Sequence, residues 1–187
     1  MVDYKFFQSI ISEHVKVVLD LPLDEISDFT NDIFKTLDKG GKIIFFGNGG
    51  SAAQASHWAE EFVGRFVKKR KSLPAIALGT NFSNITGIAN DYGFDEVFSR
   101  EIEALGDKKD LAVGISTSGN SPNVLKGLQT ANSKKIGTWM LTGITKNKAT
   151  RVADKVLAIT SDKTANIQEL HSLVIHMVLE LIEREYA

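Results

Sequence analysis

His57 and Glu61 stand four residues apart in a stretch of helical pattern, so both side chains fall on one face about a turn apart. An imidazole and a carboxylate so placed can share one metal ion, although the same spacing also occurs as a plain helix contact. Near the C-terminus, Gln168 and His176 are eight residues apart and lie within one broad helical face, with Ser172 between them. His171 points away from His176 and reads as a packing or interface histidine. His14, on the first amphipathic segment, has no such company and reads as a surface or interface residue. The chain has no cysteine, so a metal would have to be held by His, Glu, Asp or Gln.

Two loops have compositions suited to a phosphate or a sugar. Gly47-Asn48-Gly49-Gly50-Ser51 follows a short apolar run and opens into a helix, where free N–H groups and the helix dipole favour an anion. Tight-turn geometry without a ligand gives the same composition. Ser116-Thr117-Ser118-Gly119-Asn120-Ser121 carries four hydroxyls in six residues and no cation. Ser121 before Pro122 reads as an N-cap followed by Pro at the first helical position. Hydroxyls beside a helix start suit a phosphate monoester; the plainer alternative is capping and turn formation alone. Neither loop fits the Gly-x-x-x-x-Gly-Lys-Ser/Thr or Gly-x-Gly-x-x-Gly spacing, which disfavours a nucleoside triphosphatase and a dinucleotide site.

The elements that must position these residues follow from hydrophobic period. Apolar groups at Phe6, Phe7, Ile10, Ile11, Val15, Val18 and Leu19 have helical spacing over 3–20, and Ile26, Phe29, Ile33, Phe34 and Leu37 repeat it over about 24–38. Short apolar runs at 42–46, 74–78, 110–115, 136–141 and 156–159 read as five strands, and a closing helix covers about 164–185. Strands alternating with helices, each a continuous apolar run, predict a parallel sheet covered on both faces. The expected fold is α/β: one domain over 1–187, with an N-terminal helical pair (1–40) before a doubly wound five-stranded sheet (41–187). In such a sheet ligands bind at the carboxyl ends of the strands, where both loops fall.

Composition narrows the function class. Lys and Arg number 22 against 23 Asp and Glu, so the chain lacks the basic footprint of a dedicated nucleic-acid binder. The one dense basic run, Lys68-Lys69-Arg70-Lys71, reads as a solvated turn after a helix or as an anion-attracting rim. The N-terminal segment lacks the apolar stretch and cleavage site of a signal peptide, and no apolar run approaches membrane-span length. A cytoplasmic protein is expected.

Several motifs together resemble one family. Gly47–Ser51, His57-Trp58-Ala59-Glu60-Glu61-Phe62-Val63-Gly64-Arg65, Asn90-Asp91-Tyr92-Gly93-Phe94, Gly114–Ser121, Leu141-Thr142-Gly143 and Ile167-Gln168-Glu169-Leu170-His171 with His176 are similar to the phosphoheptose isomerases of the sugar isomerase (SIS) fold. The matches keep their order and cover nearly the whole chain. The resemblance implies a homotetramer with active sites near subunit interfaces. It implies conversion of sedoheptulose 7-phosphate to D-glycero-D-manno-heptopyranose 7-phosphate, the entry step to activated heptoses of bacterial surface polysaccharide. It further implies zinc held by His57, Glu61, Gln168 and His176. Substrate contacts would come from Asn48, Gly49, Gly50, Ser51, Glu61, Asn90, Asp91, Ser116, Thr117, Ser118, Ser121 and Gln168. Two departures stand out. Ala165-Asn166 replace an Asp-Arg pair of some members, which bears on sugar selectivity, and Trp58 stands where Phe is usual.

For an enediol isomerisation the expected base is Glu61 and the expected acid His176. Three other readings compete. One is a non-catalytic SIS protein that binds a replication-initiation partner; the regulator of that kind that resembles this family lacks equivalents of Glu61 and His176. The others are an isomerase of another sugar phosphate and a sugar-phosphate-sensing regulatory domain, which would usually carry an added DNA-binding domain.

Overall fold

The computed structural model describes residues 3–143 and 147–187; Met1 and Val2, at the head of the N-terminal segment, lie outside them. In chain order the elements are α1 (Tyr4–Leu19), α2 (Leu23–Asp38), β1 (Ile43–Gly47), α3 (Gly50–Val63), β2 (Ala75–Ala77), α4 (Phe82–Tyr92), α5 (Val97–Leu105), β3 (Leu111–Ile115), α6 (Pro122–Ser133), β4 (Gly137–Thr142), β5 (Lys155–Ala158) and α7 (Thr164–Tyr186). Short 3-10 helices cover Phe94–Glu96 and Lys148–Arg151.

All strand pairs are parallel, in the order β2-β1-β3-β4-β5. Alternation along β1 explains why helices are needed on both faces. Ile43 and Phe45 pack into the core shared with α2, α3 and α7, while Ile44 and Phe46 pack into the core shared with α5 and α6. All four are fully buried. Burying a side chain of this size is worth about 1.5–3 kcal/mol relative to leaving it exposed, so each face would be unstable uncovered. From β1 the chain winds to β2 on one side and later to β3 on the other. The order therefore reverses between β1 and β3, and a crevice opens there at the carboxyl ends of the strands.

The five strands and the N-terminal helical pair agree with the sequence reading within a residue or two. The stretch between β2 and β3 carried no element in that reading, yet it forms α4 and α5. The reason is physical. Helix α4 buries no residue fully, and its core-facing stripe is limited to the half-buried Ile85, Ile88 and Ala89, a weak apolar signal. In α5 the buried face includes Glu101, whose carboxylate accepts from Gly79 N at 2.7 Å and Asn84 Nδ2 at 3.1 Å, and this charge interrupts the apolar period. Helix α1 likewise buries no residue against its own chain. Its Asp3 N-cap accepts from Lys5 N at 2.9 Å, while Phe6, Phe7, Ile10, Ile11, Val15 and Leu19 stay exposed.

Candidate active site

Helices α3 and α7 pack side by side, and their contact brings together what the sequence keeps far apart. Along this seam Gln54 Nε2 donates to Gln168 O at 2.7 Å and to Ser172 Oγ at 2.8 Å. One to two turns further along α3 lie His57 and Glu61, and α7 presents His176 to them. His57 Nε2 is 3.3 Å from Glu61 Oε1, and His176 Nε2 is 3.8 Å from Glu61 Oε2. One ligating atom from each of the three residues falls within 4.8 Å of the others. The Phe66 ring stacks on the His176 imidazole, with centroids 5.0 Å apart and planes at 22°.

The Glu61 side chain is 9% exposed and the His57 side chain 55%, so the carboxylate is withdrawn from water while one imidazole faces it. Burial pushes the Glu61 carboxyl above its usual range, against the opposing pull of His57 and His176. Glu61 Oε2 and His176 Nε2 are buried and have no hydrogen-bond partner among the described residues. Two facing lone-pair donors left unpaired in a buried site are costly unless a proton or a cation lies between them. The nitrogen and oxygen donors of His57, Glu61 and His176 therefore fit a divalent cation such as zinc.

Gln168 stands about two turns before His176 on α7. Its amide lies against Gly50 at the start of α3, where an added Cβ on Gly50 would come within 2.5 Å of Gln168 Nε2. Eight residues of helix separate Gln168 from His176, a rise of about 12 Å. Its amide thus touches the first turn of α3, beside the first loop.

The two loops flank the reversal point. Gly47 is needed there: a Cβ would meet Ile115 O at 2.7 Å and Ser51 Cβ at 2.8 Å. Asn48 and Asn123 pair reciprocally across the crevice, Nδ2 to Oδ1 at 2.8 Å and 2.9 Å. The Asn48 amide is thereby occupied, and its carbonyl accepts from Ser51 N at 2.9 Å, so the N–H groups of Gly49 and Gly50 are the backbone donors this loop can offer a ligand. Ser121 does occupy the N-cap of α6 with Pro122 after it, but its hydroxyl makes no cap. Its Oγ instead lies 3.0 Å from Ser116 Oγ, which is 3.4 Å from Ser118 Oγ. The plain capping alternative for this loop is thus incorrect for Ser121: three hydroxyls converge on one another beside the first turn of α6. Thr117 holds its place through its backbone, accepting from Gly143 N at 3.0 Å.

Asn90 and Asp91 occupy the exposed last turn of α4. Among the described residues their side-chain hydrogen bond is to each other, Asn90 Nδ2 to Asp91 Oδ1 at 2.7 Å.

Two expectations are corrected. The Lys68–Lys71 run is neither a solvated turn throughout nor a plain rim. The Arg70 side chain is fully buried, donating to Glu61 O at 2.6 Å and Phe62 O at 2.9 Å, with Nε 3.3 Å from Glu183 Oε1. His14 is not without company: its Nδ1 lies 3.0 Å from Glu169 Oε2 and 3.4 Å from Asn166 Oδ1. Asn166 in turn donates to Glu13 Oε1 at 3.2 Å, tying α1 to the start of α7. His171 is fully buried, with Nε2 3.3 Å from Thr142 O, as a packing histidine should be. Sequence reasoning missed Gln54, Phe66, Arg70, Asn123 and Glu183. None has a local signal, because each acts on a partner remote in sequence.

The SIS domain family model matches residues 6–143. A phosphoheptose isomerase of Helicobacter pylori (strain P12) is 45% identical over 175 residues, covering 94% of this chain and 91% of that protein. The solved structure of the phosphoheptose isomerase GmhA from Neisseria gonorrhoeae superposes with a TM-score of 0.90 at 35% identity, covering 96% of this chain and 98% of that one. A phosphoheptose isomerase structure from Francisella tularensis gives a TM-score of 0.92 at 30% identity, covering 98% of this chain and 100% of the other. With its reversal-point loops and its buried Glu61 between two histidines, the chain belongs to the phosphoheptose isomerase family of SIS-domain proteins.

Proposed function

We propose that this protein isomerises sedoheptulose 7-phosphate to D-glycero-D-manno-heptopyranose 7-phosphate through an enediol, at the head of activated-heptose synthesis for surface polysaccharide. The observation that carries this reading is the buried Glu61 carboxylate held between His57 and His176, in a chain of the phosphoheptose isomerase family.

The chemistry divides between named groups. Glu61 takes the proton from C1 of the open-chain ketose and later returns it to C2. His176 gives a proton to the C2 oxygen as the carbonyl bond opens and receives one from the C1 hydroxyl as the aldehyde forms. Protons therefore balance over the cycle. A carboxylate that burial makes more basic is better matched to a carbon acid than a solvated one. A positioned acid or base contributes about 10²–10⁴-fold. His57, Glu61 and His176 would hold zinc, with Gln168 as a fourth donor if its amide turns from Gly50; when bound, the ion would polarise the substrate oxygens. The phosphate is assigned to the hydroxyls of Ser116, Ser118 and Ser121 and to the N–H groups of Gly49 and Gly50, at the starts of α6 and α3. Its binding energy fixes the open-chain sugar for reaction.

A homotetramer completes the reading. Helix α1 presents an apolar face that its own chain leaves uncovered, and a second copy is the proposed cover. Asn90 and Asp91, also exposed, are proposed to reach the sugar in that assembly. The setting proposed is the cytoplasm, where charged sugar phosphates are made and retained. No helix among the described residues is long and apolar enough to cross a membrane.

The test is a coupled assay of purified protein with sedoheptulose 7-phosphate, before and after chelation and with zinc restored. Turnover that falls on chelation and returns with zinc supports both isomerase and metal. Turnover indifferent to chelation keeps the isomerase and removes the metal. No turnover from folded protein in any condition overturns the reading.

A further inference from the structure

We propose that Glu183 and Arg70 are positioning residues for His176, acting through Phe66. Glu183 lies seven residues after His176 on α7, about two turns along the same face. Its side chain is 2% exposed, and that of Arg70 is 0% exposed. The Glu183 carboxylate accepts three consecutive backbone N–H groups: Phe66 N at 2.9 Å, Val67 N at 2.9 Å and Lys68 N at 2.8 Å. Arg70 Nε lies 3.3 Å from Glu183 Oε1, and the same guanidinium donates to Glu61 O, Phe62 O and Lys71 O.

One buried ion pair thus ties together three pieces of backbone. They are the last turn of α3, which carries Glu61; the segment after it, which carries Phe66; and α7, which carries His176. Consecutive N–H groups aimed at one point form an anion cradle, and here the anion is supplied by the chain itself. Segment 64–71 has no regular secondary structure to fix it, so this cradle sets where Phe66 goes. The Phe66 ring then lies flat against the His176 imidazole at 5.0 Å. With one ring face covered, His176 keeps Nε2 turned to Glu61 Oε2. A group that must exchange protons with substrate oxygens gains from a fixed orientation, and partners that orient such groups cost about 10–100-fold when removed.

The catalytic part of this proposal rests on the acid–base reading of His176, whereas the positional part does not. The experiment separates them by following the His176 ring itself. The chain has four histidines, so ring resonances of histidine-labelled protein are few, and His176→Gln identifies the one that matters. In the parent that resonance should be displaced by the ring current of Phe66. Glu183→Gln removes the charge but keeps the shape. Phe66→Leu keeps the ion pair and removes the stacked ring. Both should return the His176 resonance toward an unstacked position. Both should also lower kcat by roughly 10-fold or more, with KM changed less than about twofold. If Glu183→Gln does not fold, Phe66→Leu decides alone. A folded Glu183→Gln variant with an unmoved His176 resonance overturns the positional claim, and so does Phe66→Leu with parental resonance and kcat. Moved resonances in a protein that turns over no heptose phosphate keep the positional claim and sink the catalytic one.

Discussion

Glu61 Oε2 faces His176 Nε2 across 3.8 Å in a buried seam, and neither atom has a hydrogen-bond partner among the described residues. The pair is too far apart for a hydrogen bond of its own and too enclosed to be satisfied by bulk water. Such a gap is what a transferred proton, a substrate oxygen or a cation would fill.

Replacing the base should separate chemistry from binding. Glu61→Gln keeps the shape of the side chain and removes its basicity. Turnover of sedoheptulose 7-phosphate should fall by about 10²–10⁴-fold or more. Affinity for inorganic phosphate, read by calorimetry, should stay within a few-fold, because the proposed phosphate groups lie on the loops at 47–51 and 116–121. Unchanged turnover would remove Glu61 from the mechanism.

Zinc content distinguishes the candidate ligands. His57→Ala should reduce zinc retained after dialysis against a weak chelator, since His57 belongs to the three-residue group. Gln168→Ala should reduce it much less if the amide stays at Gly50, as in this chain, and comparably if it turns to the metal. Equal retention by His57→Ala and the parent would refute the metal site. Metal analysis of the purified proteins reads all of these outcomes without an activity assay.

The apolar face of α1 should control assembly. Ile11 is 63% exposed and Phe7 50% exposed in the isolated chain. A charge at the centre of a buried interface is strongly unfavourable. Ile11→Glu should therefore shift the protein from the proposed tetramer to smaller species in sedimentation velocity, with unchanged far-UV circular dichroism. A tetramer that survives this change would move the interface away from α1.

Acid sensitivity should carry the mark of His171. Complete burial, opposed only by the hydrogen bond to Thr142 O, lowers its pKa to about 4 from an unfolded value of about 6.5. The unfolded chain therefore binds the extra proton first as pH falls. Stability from this group is full above about pH 6.5 and is lost progressively down to about pH 4, by roughly 3 kcal/mol at most. Urea midpoints measured from pH 7 to pH 4 should fall across that window. The fall should be shallower in His171→Met, which cannot take up a proton. Equal slopes in the two proteins would show that His171 does not govern the acid limb.

Much of this molecule was legible in the sequence because the signals involved are local. A buried parallel strand needs an unbroken apolar run, so Ile43–Phe46 and Leu111–Ile115 announce themselves, and a four-residue step on a helix places His57 and Glu61 on one face whatever surrounds them. Backbone freedom at Gly47–Gly50 and hydroxyl density at 116–121 likewise need no partner to be recognised. What only the tertiary structure decided is which remote groups meet. Packing of α7 on α3 chose His176 for Glu61 and turned Gln168 to Gly50; spacing along α7 leaves both outcomes open. The same packing buried the Arg70 side chain, which charge composition alone assigns to the surface: Glu183 pairs with its charge and three carbonyl oxygens accept from its terminal nitrogens. Sequence spacing determines faces through helix and strand periods of a few residues. Partners across the core are selected by how whole faces pack, and that information is distributed over every residue in the interface.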